Sequence, residues 1–198
     1  MEQNMQQPAL KYVTPEEYLA MEEVAEEKHE YYQGEIFAMA GASSRHNLIA
    51  GDIYTQMNLR LSPKSCTPYM TDMRLWIKAN GLFTYPDLMV ICGEPEFYKE
   101  RDDVVVNPVV IIEVLSKSTG EYVRGDKFKL YRGIPTLQEY IVINQYSIHV
   151  EQYYLEAPKK WAFVEYDQLT DILHFAKIDF QISLQDIYRR VKFEPRAD

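Results

Sequence analysis

The chain has little of several things, and each shortage narrows what it can be. Of its 198 residues only two are cysteine, Cys66 and Cys92, and they lack the spacing of a metal-binding pair. With no recognisable signal peptide ahead of them, reduced thiols and a cytoplasmic protein are expected. No apolar run is long enough to cross a bilayer, so no membrane partner is expected. Basic residues are scarce, 21 Lys+Arg against 30 Asp+Glu for a formal charge of -9, which argues against a protein that lives on a nucleic-acid backbone. That balance leaves room for an enzyme that binds such a polymer locally. There is no internal repeat, no low-complexity tract and no linker rich in Gly, Pro or Ser. One domain over 12–198, behind a flexible terminus at 1–11, is therefore expected. What is abundant is tyrosine, sixteen in all, whose rings suit strands and rims with the hydroxyl left wet, or alternatively stack on bases.

The order of elements is α+β or α/β with a mixed sheet, neither a helical bundle nor a sandwich, and of the two α/β is expected, with a central mixed sheet flanked by helices and a C-terminal antiparallel meander. "TPEEYLAMEEVAEEKHE" opens with Thr14 as N-cap, Pro15 at the first helical position and Glu17 three residues after the cap, and predicts a helix from about Pro15 to about Lys28. "YYQGEIFAMA" reads as one strand bent at Gly34, and Leu48, Ile49, Ile53, Met57 and Leu61 recur at helical period. "MRLWIK" and "TYPDLMVIC" are strands on either side of Asn80-Gly81. "NPVVIIEVLS" is the most apolar strand, followed by a short helix in "VRGDKFKLYRGI" and a strand in "LQEYIVIN". The meander is "IHVEQYYL", "KWAFVEY" and "ILHFAKIDFQI", and a short helix in "SLQDIYRR" closes the chain.

Glu113 breaks the most apolar strand, and a buried carboxylate needs a cation, a metal ion or a functional reason for its charge. Asp87 follows Pro86 at the mouth of another apolar strand, where it serves either turn chemistry or a site. If the two strands are neighbours, the carboxylates converge, and they repel unless a divalent cation is shared. Oxygen-rich sites of that kind suit magnesium or manganese and the hydrolysis of phosphodiesters. The helix after Glu113 supplies a lysine: Val123, Lys127, Leu130, Tyr131 and Ile134 form one apolar stripe, so Lys127 faces the sheet, while Lys129, about 200° round, points outward. Lys127 then meets an acid or a substrate, or packs its stem along the edge of the core.

The elements "YPDLMV", "VVIIEVLSKST", "GDKFKLY" and "IPTLQEYIVIN", in that order, closely resemble the Uma family of endonucleases, a branch of the PD-(D/E)XK restriction-endonuclease-like superfamily. The likeness runs from "EYYQGEIFAMAGASSRHNLIAGDI" to "SLQDIYRRV". It implies that Asp87 and Glu113 are metal ligands for Mg (or Mn), and that Lys127 is the catalytic lysine, moved from a strand onto the next helix. It further implies an acid before the first strand, matched by Glu30 with Glu35 as competitor, and a substrate-binding histidine opening the second helix, matched by His46. Nucleic acid, in the first instance DNA, is the implied partner, and a homodimer the implied assembly. Two positions depart from the family pattern: Val123 and Gln33 stand where Asp is common. A catalytically silent binding module with the same fold is the alternative.

Overall fold

The computed structural model describes residues 12–61, 66–116 and 120–193. The 1–11 terminus and residues 117–119, just after the strand of Glu113, lie outside them. Helix α1, Pro15–Glu22, starts as its sequence dictates: Thr14 Oγ1 accepts the Glu17 N–H at 3.2 Å and the Glu17 carboxylate accepts the Thr14 N–H at 2.8 Å. It stops six residues short of the expected Lys28. The reason is Glu22, whose buried carboxylate accepts the His29 N–H at 2.9 Å and the Tyr85 hydroxyl at 3.0 Å and so turns the chain back toward the sheet.

The segment read as one bent strand is a hairpin, β1 (His29–Tyr32) and β2 (Glu35–Ala38), with Tyr32 opposite Glu35. Its two turn residues, Gln33 and Gly34, have φ of +49° and +90°, the geometry that lets a two-residue loop match strand twist. Helix α2, Ser44–Leu61, buries Ile49, Ile53, Met57 and Leu61. Next come β3 (Cys66–Met70), β4 (Arg74–Ile77), β5 (Leu82–Thr84), β6 (Leu88–Cys92), β7 (Val104–Val105) and β8 (Val110–Leu115). Strand β3 is not among the strands expected from the sequence; its Pro68 is tolerated because β3 lies at a sheet edge. "TYPDLMVIC" holds the last residue of β5, Thr84, and the whole of β6, parted at Tyr85-Pro86, where the chain leaves one sheet for the other.

Helix α3 occupies residues 120–131 and contains a wide π turn at Val123–Lys127 between Gly120–Tyr122 and Phe128–Tyr131. It connects β8 to its parallel neighbour β9, Glu139–Asn144. Strands β10 (Val150–Ala157) and β11 (Lys160–Tyr166) extend that sheet antiparallel, as a meander should. The last stretch of the expected meander is instead a separate hairpin, β12 (Ile172–Phe175) and β13 (Phe180–Ser183), followed by α4, Leu184–Tyr188.

A six-stranded mixed sheet, ordered β11-β10-β9-β8-β6-β3, is the centre, with a five-stranded sheet, β2-β1-β5-β4-β7, beside it. Period-two alternation assigns β8 to two cores. Val110, Ile112 and Val114 pack with α2, α4 and the β12–β13 hairpin, while Ile111 and Leu115 pack with α3 and the second sheet. Glu113 has the parity of the second set. The cysteines correct an expectation: Cys66 on β3 is the register partner of Cys92 on β6, and the two form a disulfide rather than free thiols. Residues 26 apart in sequence became neighbours through a strand pairing that spacing alone does not reveal. Among the described residues no helix is long and apolar enough to cross a membrane.

Candidate active site

Strands β6 and β8 run antiparallel with Leu88 opposite Ile112, so one further step along the register sets Asp87 against the Glu113 region. Asp87 Oδ2 accepts the Val114 N–H at 2.7 Å, a backbone group left unpaired by β6 because Asp87 stands just outside the strand. The switch of sheets at Pro86 is thus what opens the ladder and puts a carboxylate into the gap.

Glu113 is buried on the α3 face. Its Oε1 lies 2.9 Å from Lys127 Nζ and accepts the Tyr131 hydroxyl at 2.6 Å. Both partners come from α3, four residues apart on its inner side. Lys127 is buried while Lys129 is exposed. The ammonium also reaches Glu30 Oε1 at 3.1 Å, and that carboxylate accepts a 2.5 Å hydrogen bond from Thr84. Glu30 lies within β1 rather than ahead of it; Glu35, its competitor in the sequence, is exposed. Val123, one helical turn before Lys127, is buried in the α3 core, and the lysine takes its second carboxylate from β1. Gln33 sits in the hairpin turn and donates to the Tyr32 hydroxyl at 3.0 Å.

His46 stands in the first turn of α2, where Ser43 Oγ accepts its backbone N–H at 3.2 Å. Its Nε2 is 3.0 Å from Asp87 Oδ2, and its buried Nδ1 has no hydrogen-bond partner among the described residues. All five residues singled out in the sequence, Glu30, His46, Asp87, Glu113 and Lys127, line one cleft of about 1340 Å³. Two residues escaped sequence reading: Tyr131 and Thr84. Tyr131 was visible on the stripe of Lys127, but its hydroxyl partner was not; for Thr84 the sequence carried no signal.

Burial raises Glu113 against the pull of Lys127, and Asp87 adds to the rise, so the carboxyl is pushed up to about 7. Burial works against the Lys127 charge as well, but Glu113 and Glu30 outweigh it and hold the ammonium well above the usual lysine range. For His46 burial is again opposed, here by the bonded Asp87, and the net shift is upward. The site is therefore a row of ionisable groups, imidazole, carboxylate, carboxylate, ammonium and carboxylate, in which the two adjacent acids repel and the flanking groups offset them.

Among the described residues no three or more His, Cys, Asp or Glu side chains are grouped to hold a metal ion. Bonds from described residues reach Asp87 through Oδ2 and Glu113 through Oε1, leaving the other oxygen of each for a cation. A donor set of two carboxylates fits magnesium, which keeps several waters and completes its shell with substrate oxygens.

A mixed sheet between helices, with two acids at a strand opening and a lysine beside them, has the layout of a restriction-endonuclease-like nuclease fold. Likeness to a solved structure agrees: the "putative nuclease belonging to DUF820" from Anabaena variabilis superposes with a TM-score of 0.73, covering 89% of this chain and 98% of that one at 17% identity. Residues 15–185 match the Uma2 family, described as "Putative restriction endonuclease", and the chain belongs to that family. Two proteins of Synechocystis sp. are similar along most of their length. One, sll1609, is 41% identical over 155 residues, 78% of this chain and 88% of that protein; the other, slr1290, is 33% identical over 181 residues, 91% and 94%.

Proposed function

We propose that the protein is a divalent-metal-dependent endonuclease that hydrolyses phosphodiester bonds in nucleic acid, with DNA as the substrate. The observation that supports this most is the convergence of Asp87, Glu113 and Lys127 in one cleft, with Lys127 Nζ 2.9 Å from Glu113. Asp87 and Glu113 would hold magnesium or manganese, with Glu30 beside them; when bound, the cation supplies an activated water and neutralises charge at the phosphate. Lys127, kept protonated by two acids, orients the attacking water and offers its N–H groups to the oxygens on which charge develops. Glu30 and Tyr131 keep that ammonium and its partner carboxylate aligned. His46 holds Asp87 through Nε2 at 3.0 Å, its upward shift favouring the charged form that donates this bond. Attack is in line at phosphorus.

The test is cleavage of labelled DNA by the purified chain with magnesium or manganese. Activity that disappears on chelation and in Glu113→Gln supports the reading. A titration that detects no binding of either cation, with nucleic acid present, overturns it. One observation favours a second reading, a silent binding module: Lys127 already neutralises Glu113 in a buried pair without a cation. Nucleic-acid binding without cleavage under any divalent metal would select it.

A further inference from the structure

Resting on the nuclease reading, the cleft itself points to the form of the substrate: we infer that the site takes an unpaired strand of nucleic acid, held by base stacking, rather than an intact duplex held by its phosphates. Duplex recognition is dominated by Lys and Arg that neutralise phosphates. Here five carboxylates and three lysines, with no arginine, line the cleft among the described residues. Lys28 is bonded to Asp72, and Lys127 is held between Glu30 and Glu113, so Lys129 alone of the three stands outside an ion pair with a described residue. Such a lining gives a polyanion few cations to bind.

What the lining has instead is exposed ring surface. Phe37 on β2, Tyr122 in the first turn of α3 and Tyr146 after β9 are 45%, 37% and 39% exposed, and all three line the same cleft as Asp87 and Glu113. Phe37 and Tyr122 take part in none of the ring pairs that consolidate the interior among the described residues. Exposed rings such as those of Phe37 and Tyr122 beside a phosphodiester-cleaving site suit single strands, because each unpaired base presents a face to stack while a duplex hides its bases from the rim. At about 1340 Å³ the cleft exceeds the range of about 300–1,000 Å³ usual for small ligands, which suits several linked nucleotides. A site that cuts one strand needs no second copy aligned on the opposite strand.

The test compares one labelled DNA sequence as single strand, as blunt duplex and as hairpin with an unpaired tail, with manganese for cleavage and, in Glu113→Gln, by fluorescence anisotropy for binding. The expected result is cutting of the single strand and of the tail, with the duplex spared. Phe37→Ala and Tyr122→Ala should each weaken single-strand binding by on the order of tenfold, while Phe37→Trp and Tyr122→Phe, which keep a ring, should retain it. Unchanged melting temperatures would place the loss in binding rather than folding. A preference for duplex, or alanine variants that bind single strand as tightly as the wild type, overturns the inference and leaves the nuclease reading standing. No cutting of any of the three overturns both.

Discussion

At Glu113 two demands oppose each other: the interior disfavours its charge, and Lys127 at 2.9 Å requires it. Its value of about 7 against the ordinary 4.5 means that the folded chain holds a proton across a window in which the unfolded chain has released it. Stability of the metal-free protein should therefore fall as pH rises from 4.5 to about 7 through this group, by about 3 kcal/mol at most, and level off above. Glu113→Gln should flatten that part of the profile, as urea unfolding at a series of pH values would reveal. A cation needs the ionised form, so metal binding below about pH 7 should release a proton, measurable by calorimetry in buffers of different ionisation enthalpy. For Lys127→Met, which keeps the apolar stem, cation binding should persist while turnover drops by about 10² or more. A loss of cation binding equal to the loss of turnover would place the lysine in holding Glu113 rather than in the chemistry.

Two short elements position these side chains. Helix α3 presents Lys127 and Tyr131 to the same Glu113 oxygen, and Tyr140, stacked on Phe128 at 4.9 Å, donates to the Val123 carbonyl at 2.9 Å beside the π turn. Tyr131→Phe removes one donor from a buried carboxylate and should cost about 1.5–3 kcal/mol in urea unfolding, with Glu113 shifted further upward. The β1–β2 hairpin carries Glu30, and its turn depends on Gly34, whose φ of +90° strains any side chain and whose added Cβ would also displace the Tyr12 ring. Gly34→Ala should destabilise by more than about 1 kcal/mol and lower activity through Glu30, whereas Gly41, with nothing within 4 Å, should accept the same change without loss of stability.

Over the whole molecule, the switch of the chain from the five-stranded to the six-stranded sheet brings Glu30, Asp87 and Glu113 to one cleft, with Thr84 buried behind Glu30. The disulfide joins β3 to β6 a few residues from that switch, across a separation of 26. Reduction should lower stability by about 3–4 kcal/mol on a chain-entropy account, seen as a lower urea midpoint with dithiothreitol, and Cys66→Ser/Cys92→Ser should match the reduced protein. At the far side of the sheet, Asp52 of α2 is buried and bonded by Arg189 and Arg190 beyond α4, which fastens the end of the described chain to the helix that carries His46.

Periodicity and local chemistry by themselves determined the capped start of α1, the buried run of β8 and the inward phase of Lys127, because each depends on residues within one or two turns or pleats. The same local chemistry marked Glu113 as a carboxylate in need of a partner and Asp87 as an acid at a strand mouth, and the family resemblance marked Glu30 and His46. Only the tertiary structure decided which partner each one has. Thr84 and Glu30 meet through the pairing of β1 with β5, the cysteines through β3 with β6, and His46 and Asp87 through packing of α2 on the sheet. Register and packing join residues tens of positions apart, and the free energy that selects them comes from burying whole faces rather than from any short stretch of sequence. That is also why "TYPDLMVIC" reads as one strand: its apolar run Leu88–Cys92 forms β6, but Thr84 ends β5 in the other sheet, and which sheet each part enters is specified by partners elsewhere in the chain.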